Sequence, residues 1–394
     1  MTGETPILSE AAWKRGWAIL LVVAALSWAG CIAGYIQNPV QFHASYLVGF
    51  MYFLTISLGA AFFVMLQHIS GAVWSVSLRR LMENVMAVLP LAPLLFLPIV
   101  AGLPELYEWA RPEFQTQGPD FRFKMIFFSP PFFLSRSAIY FLLWGVVAVN
   151  LYRISLAQDR DGGIEPIRKS VTWSAPGMAL LFVTVTMAAV DWLMSLEPHW
   201  YSTIFGIYVY AGGGLAFLAL MVLTSLGFRK RGPLSQSVTV EHFHDLGRWV
   251  FVMVVFWAYI AFSQYMLIWY ANLPEETSWF KHRLEGNWTW ISASLLVGNF
   301  LVPFLLLIAR GAKRNLPLLA SVSVLILLMH YVDLHWIVMP TVHHHGFHLH
   351  WLDLTAWLGV GSAFGLAFWR MLRGRALVPV GDLRLQRALS HQTD

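Results

Sequence analysis

Five histidines fall within eight positions near the C-terminal end of the chain: His343, His344, His345, His348 and His350, in MPTVHHHGFHLHWLD. Four chemistries suit such a cluster: a metal site, a haem site, a proton-handling loop or a solvated loop. Several imidazoles can hold zinc, and imidazoles also titrate near neutral pH. No Cys, Asp or Glu lies among the five, and no fixed ligand spacing is evident. The expectation is therefore no physiological metal, with adventitious nickel or zinc uptake the chemical exception. A bis-histidine haem needs two imidazoles at matched depth on facing helices. His68, His330 and His335 do not offer such a pair.

Two apolar stretches carry ionisable residues of their own. AAVDWLMSLEPHWYS holds Asp191, Glu197 and His199; LLMHYVDLHWIVMP holds His330, Asp333 and His335. Charge inside an apolar helix is costly, so each is a functional candidate. Asp191 lies about 17 residues into its helix and His330 about 15, or roughly 25 and 22 Å. A buried carboxylate beside an imidazole shares a proton, and the two titrate together. A series His335, Asp333, His330, Asp191 would make a half-channel for protons, with Glu197, His199 and the loop histidines at its outer exit. The bland alternative is hydrogen bonding between helices near a wet interface. His68, Glu83, Gln264 and Tyr265 form an inner-side polar set. Glu83 follows Arg79 by four residues, as a surface ion pair would, and Gln264 needs a partner on another helix. No residue stands out as catalytic.

These groups need helices to position them. The chain has 394 residues, 58% hydrophobic and 12% charged, with mean hydropathy +0.61. A soluble protein carries more charge. The apolar residues come in runs long enough to cross a bilayer. We expect an all-α integral membrane protein with about ten spans, near 16–36, 45–67, 84–103, 132–152, 174–196, 202–226, 248–270, 287–309, 315–337 and 353–373. Of the 26 Lys and Arg residues, 20 fall on the N-terminal side of this layout. That excess puts both termini in the cytoplasm and the histidine loop outside. The chain reads as one polytopic domain: a cytoplasmic segment 1–15, a transmembrane region 16–373 and a cytoplasmic tail 374–394.

Net charge +5 then reports loop topology, and no nucleic-acid partner is expected. Cys31, the single cysteine, excludes an internal disulfide, a cysteine-ligated cluster and a CxxCH haem. It reads as a small buried apolar residue. Pro90, Pro93 and Pro98 should kink the third span. Gly212, Gly213 and Gly214 read as a close-packing face. Tryptophans 192, 200, 269, 336 and 351 read as an outer interfacial belt, and 13, 17, 173 and 369 as the inner one.

Long stretches of the chain resemble the F subunits of bacterial alternative complex III. They include SYLVGFMYFLTISLGAAFFVMLQHISGAVWSVSLRRLMEN, FFLSRSAIYFLLWG, SLEPHW, FSQYMLIWYANLPEE and YVDLHWIVMP, and they cover about residues 43 to 355. That family is similar to the NrfD-like, polysulfide-reductase membrane subunits. The resemblance implies ten helices including two four-helix bundles. It implies a subunit of a quinol:cytochrome c oxidoreductase in a bacterial inner membrane. The partners implied are multihaem cytochrome c, iron–sulfur and homologous NrfD-like membrane subunits, with cytochrome c or an oxidase downstream. Haem c and iron–sulfur clusters would then sit in the partners. This chain would be non-redox, a scaffold and a proton conductor. Direct quinol binding by this subunit is one alternative reading; a stand-alone proton-coupled transporter is another.

Overall fold

Backbone amides in lipid must bond within their own segment, so apolar runs of this length become helices. A computed structural model describes residues 6–116, 126–230, 232–343 and 346–392. Within them lie ten helices long and apolar enough to cross a membrane: α1 (Glu10–Gln37), α2 (Pro39–Ile69), α3 (Val76–Ala101), α4 (Pro130–Asp161), α5 (Glu165–Leu196), α6 (Phe205–Lys230), α7 (Val240–Ala271), α8 (Trp288–Leu307), α9 (Leu316–Thr341) and α10 (Trp351–Met371). The protein is a multi-pass, all-helical membrane protein.

Local chemistry sets several helix starts. Asn38 caps α2 by accepting from the Gln41 amide, and Pro39 occupies the first turn, where no amide partner is needed. His350 caps α10 by accepting from the Leu352 amide, while the Asp353 carboxylate accepts from the His350 amide. That reciprocal cap fixes Asp353 at the mouth of α10.

Helix α3 is broken rather than kinked. A helix over Val76–Met86 gives way to a 3-10 turn at Leu89–Leu91, then a second helix over Ala92–Ala101. Pro90 and Pro93 have no amide hydrogen for the ladder, so the break falls where they sit. Helix α8 contains a π-helical stretch, Leu296–Leu301.

The spans close into two four-helix groups. Helices α2, α3, α4 and α5 pack in a ring, and so do α6, α7, α8 and α9; α2 joins the groups by packing on α6 and α9. Helix α10 lies on α2, and α1 lies on α10. Small residues allow the central approach. A Cβ on Gly213 would meet Thr55 Cβ at 2.6 Å, and one on Gly59 would meet the Gly213 carbonyl at 2.9 Å. The close-packing expectation for this glycine run is met at Gly213.

Both chain ends lie at one end of the bundle. Ile7 bridges Ala376, and Trp13 and Trp369 each donate an indole hydrogen to the other's carbonyl at 2.9 Å. We call this the tail end and its opposite the loop end. Three of the five outer-belt tryptophans are core residues instead. Trp192 packs among Phe50, Phe96 and Phe141, Trp200 stacks on Trp279, and Trp336 is buried against Trp279. Cys31 is buried, as expected.

Candidate functional site

His330, Asp333 and His335 of α9 are all buried. His330 and Asp333, three residues apart, share a face of the helix, whereas His335, two residues beyond Asp333, turns to another side, next to Asp353 and Trp288. Tyr208 of α6 donates its hydroxyl to Asp333 Oδ1. Trp257 of α7 donates its indole hydrogen to Oδ2 at 3.3 Å. The carboxyl group is thus held by two neutral donors.

His330 Nε2 lies 2.9 Å from Thr55 Oγ1, and the Tyr52 ring lies beside the imidazole. Thr55 directs its own hydroxyl hydrogen to the Met51 carbonyl, so Nε2 carries the hydrogen and Nδ1 is left as an acceptor. Nδ1 has no hydrogen-bond partner. A Cβ built on Gly212 would lie 3.3 Å from Nδ1 and 3.4 Å from Asp333 Oδ2. Imidazole and carboxylate therefore open onto one small space kept clear by a glycine.

A second polar run starts at the loop end. His343 Nε2 bonds Gln41 Oε1 at 2.8 Å. Gln41 Nε2 donates to Ser45 Oγ and to Asp353 Oδ1, and Ser45 donates to Asp353 Oδ1 at 2.5 Å. Asp353 Oδ2 lies 3.6 Å from His335 Nε2. The order His343, Gln41, Asp353, His335 leads from the loop to the buried end of α9. Asp353, Gln41, Ser45, Tyr208 and Thr55 were not singled out from sequence. The acid in HLHWLD, three residues after a capping histidine, was a usable signal for Asp353.

Other candidates go elsewhere. Asp191 does not pair with His330. Arg136 of α4 donates to it from Nε (2.9 Å) and Nη2 (2.7 Å), and Tyr140 donates at 2.8 Å. Asp191 faces α4 inside its own helix group, while His330 faces α2; similar depth did not mean a shared face. Glu197 meets Arg283 Nη1 at 2.9 Å. Arg283 is fully enclosed and donates to the carbonyls of Trp279, Trp336 and Ile337. Burial lowers its pKa to about 10, against the pull of Glu197, so it stays charged near neutral pH. Glu197 is thus a clasp on the end of α9 rather than an exit. His199 lies beside Phe114.

At the tail end, Glu83 is not a surface partner. It is fully buried between Arg79 (3.1 Å) and Arg80 (3.2 Å) and accepts from Ser155. Arg79 also reaches Asp382 of the tail at 2.7 Å, and Arg80 reaches Asp159 at 2.8 Å. His68 lies 4.0 Å from Glu83, also buried. Gln264 and Tyr265 do not belong with this set. They sit near the loop end of α7, where Tyr265 packs on Phe280 of a short helix, Pro274–Leu284.

In the histidine loop, His343 and His348 rings lie 5.4 Å apart. His343 is half-buried, and its pKa is lowered by burial and then by the neighbouring His348. His348 bonds the Gly346 carbonyl, and His350 is the α10 cap. His344 and His345 lie outside the described residues. Among the described residues no three His, Cys, Asp or Glu side chains are grouped as metal ligands would be.

Fold and site together define a ten-span helical membrane protein with a buried acid–imidazole series at one end. No protein-family model matches the chain, and no curated protein matches it.

Proposed function

We propose that this chain is a non-redox membrane subunit of a respiratory quinol:electron-acceptor oxidoreductase of the alternative complex III type. Its part is to scaffold the complex and conduct protons. The observation that carries the proton role is the buried run from His343 through Gln41 and Asp353 to His335, on the same helix as the buried Asp333 and His330. Ionisable groups kept inside apolar helices are costly and earn a functional reading, and imidazole–carboxyl pairs pass protons at neutral pH. The respiratory assignment draws on SLEPHW, FSQYMLIWYANLPEE and the other stretches quoted above, and the two four-helix groups agree with it. Redox groups belong to partner subunits in this reading, since Cys31 alone cannot anchor a cluster or a covalent haem. The membrane is then a bacterial inner membrane with both termini cytoplasmic.

A test is purification from the native membrane after cross-linking, in mild detergent, with haem staining, mass spectrometry and a quinol:cytochrome c assay. Multihaem and iron–sulfur subunits should co-purify with quinol oxidation. A lone, colourless, inactive chain would overturn the reading. In the intact complex, Asp333→Asn and His335→Gln should lower the protons moved per electron while quinol oxidation continues. An unchanged ratio in both variants rules out the relay.

The break in α3 and the π-stretch in α8 favour a second reading, a stand-alone proton-coupled transporter, because transporters use interrupted helices. Transport by the purified chain alone in liposomes separates the two.

A further inference from the structure

The outward side of α7 carries an apolar stripe with a cation at its tail end. Arg248, Val252, Val255, Tyr259 and Phe262 are all exposed and follow one another at spacings of three or four, so they share a face. Helix α8 runs beside it, with Phe304 stacked on Phe251 at 5.4 Å. The exposed residues of α8, Leu301, Leu305 and Ile308, lead to Arg310, also exposed, in the short helix Arg310–Arg314. Further along this seam a cleft of about 790 Å³ opens, with Val255, Tyr259 and Phe262 on one wall and Leu296 and Phe300 on the other.

Positive charge crowds the tail end of the seam. The Arg248 side chain is 60% exposed, and its acidic neighbour Asp245, at 3.4 Å, also takes His391 at 2.7 Å. The charges of Arg248, Arg310 and Arg314 all act on the buried His244 behind them. Lys313 is buried over the Phe251 ring and donates to the Ile308 and Ala309 carbonyls. Burial, and then the charge of Arg248, lower the Lys313 pKa, so these two cations repel. Arg314 is tied to Glu241 at 2.6 Å. Arg248 and Arg310 are the exposed members of the set.

Depth and charge select the occupant. An arginine at the end of an apolar stripe lays its stem on that surface and its head among lipid headgroups. Seven residues of α7 separate Arg248 from Val255 at the cleft, about 10 Å. The chains of one leaflet reach about 15 Å, half the hydrocarbon core. A lipid with its phosphate at the two arginines therefore lays its chains along the seam and into the cleft. Its head must bring net negative charge, because a choline or ethanolamine would add a cation to a cluster that already repels.

We propose that the α7–α8 seam binds an anionic phospholipid at its tail end, with the phosphate between Arg248 and Arg310 and the acyl chains running into the cleft. The proposal does not rest on the respiratory reading, and its failure would leave that reading intact.

The test reads individual lipid-binding constants by native mass spectrometry of the full chain in mild detergent. Dioleoyl phosphatidylglycerol is compared with dioleoyl phosphatidylcholine. One surface cation is worth about 5-fold in affinity for an anionic lipid, so phosphatidylglycerol should bind about 5- to 25-fold more tightly. A double Arg248→Gln, Arg310→Gln variant should lose that preference and keep its phosphatidylcholine binding. Arg310→Gln alone should lose part of it, and serves where the double variant folds poorly. Arg168→Gln with Lys169→Gln, exposed at the start of α5, should keep the preference. Inorganic phosphate at the lipid's concentration should displace nothing. Equal binding of the two lipids to the unaltered chain overturns the proposal. So does a preference that survives the double variant, one lost equally in the α5 variant, or displacement by inorganic phosphate.

Discussion

Arg136 on α4 holds Asp191 on α5 through two hydrogen bonds, with Tyr140 as a third donor to the same carboxylate. The guanidinium also lies over the Phe127 and Phe132 rings at 4.0 and 4.3 Å. This is a structural clasp between neighbouring helices. Removing either partner strands a buried charge, at a cost of about 3–5 kcal/mol. Arg136→Leu should therefore lower the unfolding temperature in nanodiscs sharply. A double Arg136→Leu, Asp191→Leu variant should regain most of the loss. Equal losses in single and double variants would show that the pair contributes only packing.

The tail end makes a second, acid-sensitive prediction. Burial opposes ionisation of Asp382, but hydrogen bonds from Arg384 and the charge of Arg79 more than offset it, and its pKa falls below the ordinary 3.8. A depressed carboxyl stabilises the fold fully above its unfolded pKa and loses that contribution as pH falls through the folded one. Tail docking should thus be unchanged from neutral pH to about pH 5 and weaken only below about pH 4. Pepsin cleavage of the tail, measured from pH 2 to 5, reads this directly. Asp382→Asn should expose the tail to trypsin already at neutral pH.

Two adjacent glycines should behave differently. At Gly213 a new methyl meets Thr55 Cβ at 2.6 Å and the Thr55 carbonyl at 2.7 Å. Backbone cannot step aside cheaply, so Gly213→Ala should destabilise by about 1–3 kcal/mol. At Gly212 the neighbours are His330 Nδ1 and Asp333 Oδ2, at 3.3 and 3.4 Å. Gly212→Ala should cost less stability yet disturb proton movement. Thermal unfolding and proton-to-electron ratio, measured on both variants, separate the two effects.

His343 should resist protonation. Burial and His348 lower its pKa below the usual 6.5. A histidine with a depressed pKa favours the fold above its unfolded value and loses that contribution as pH falls through the folded one. At pH 6.5 an exposed histidine is half charged, whereas His343 should remain mostly neutral. Nitrogen-15 NMR of labelled histidine, compared between the chain and a His343→Gln variant, checks this. It also narrows the buffering role that a histidine-rich loop suggests: His343 takes up protons only at lower pH.

Composition and run length were enough to read ten apolar helices, because both report on the solvent around each segment. Helix α9 was equally legible: His330, Asp333 and His335 stood out as charges in an apolar run. Partners were not legible, since depth along a helix says nothing about which face turns where. Asp191 and His330 illustrate this, being similar in depth yet turned to different neighbours. Glu83 was misread for a related reason. Its ion pair with Arg79 is local in sequence, but the tail residues that cover it, Asp382 and Arg384, lie about 300 positions away, and no local pattern announces such a cover. Gln264 was read to the wrong end although a seventh span over 248–270 entering from the tail side already places it near the loop end, as the helix Val240–Ala271 does.

The tie between Trp13 and Trp369 bears on biosynthesis. The two residues are 356 positions apart, and α1 is largely exposed except where α10 lies on it. Of the ten spans, the earliest made is therefore matched to the latest made. Until α10 is inserted, α1 must wait in the bilayer without its main neighbour, so the insertion of α10 is the step that fastens α1 in place.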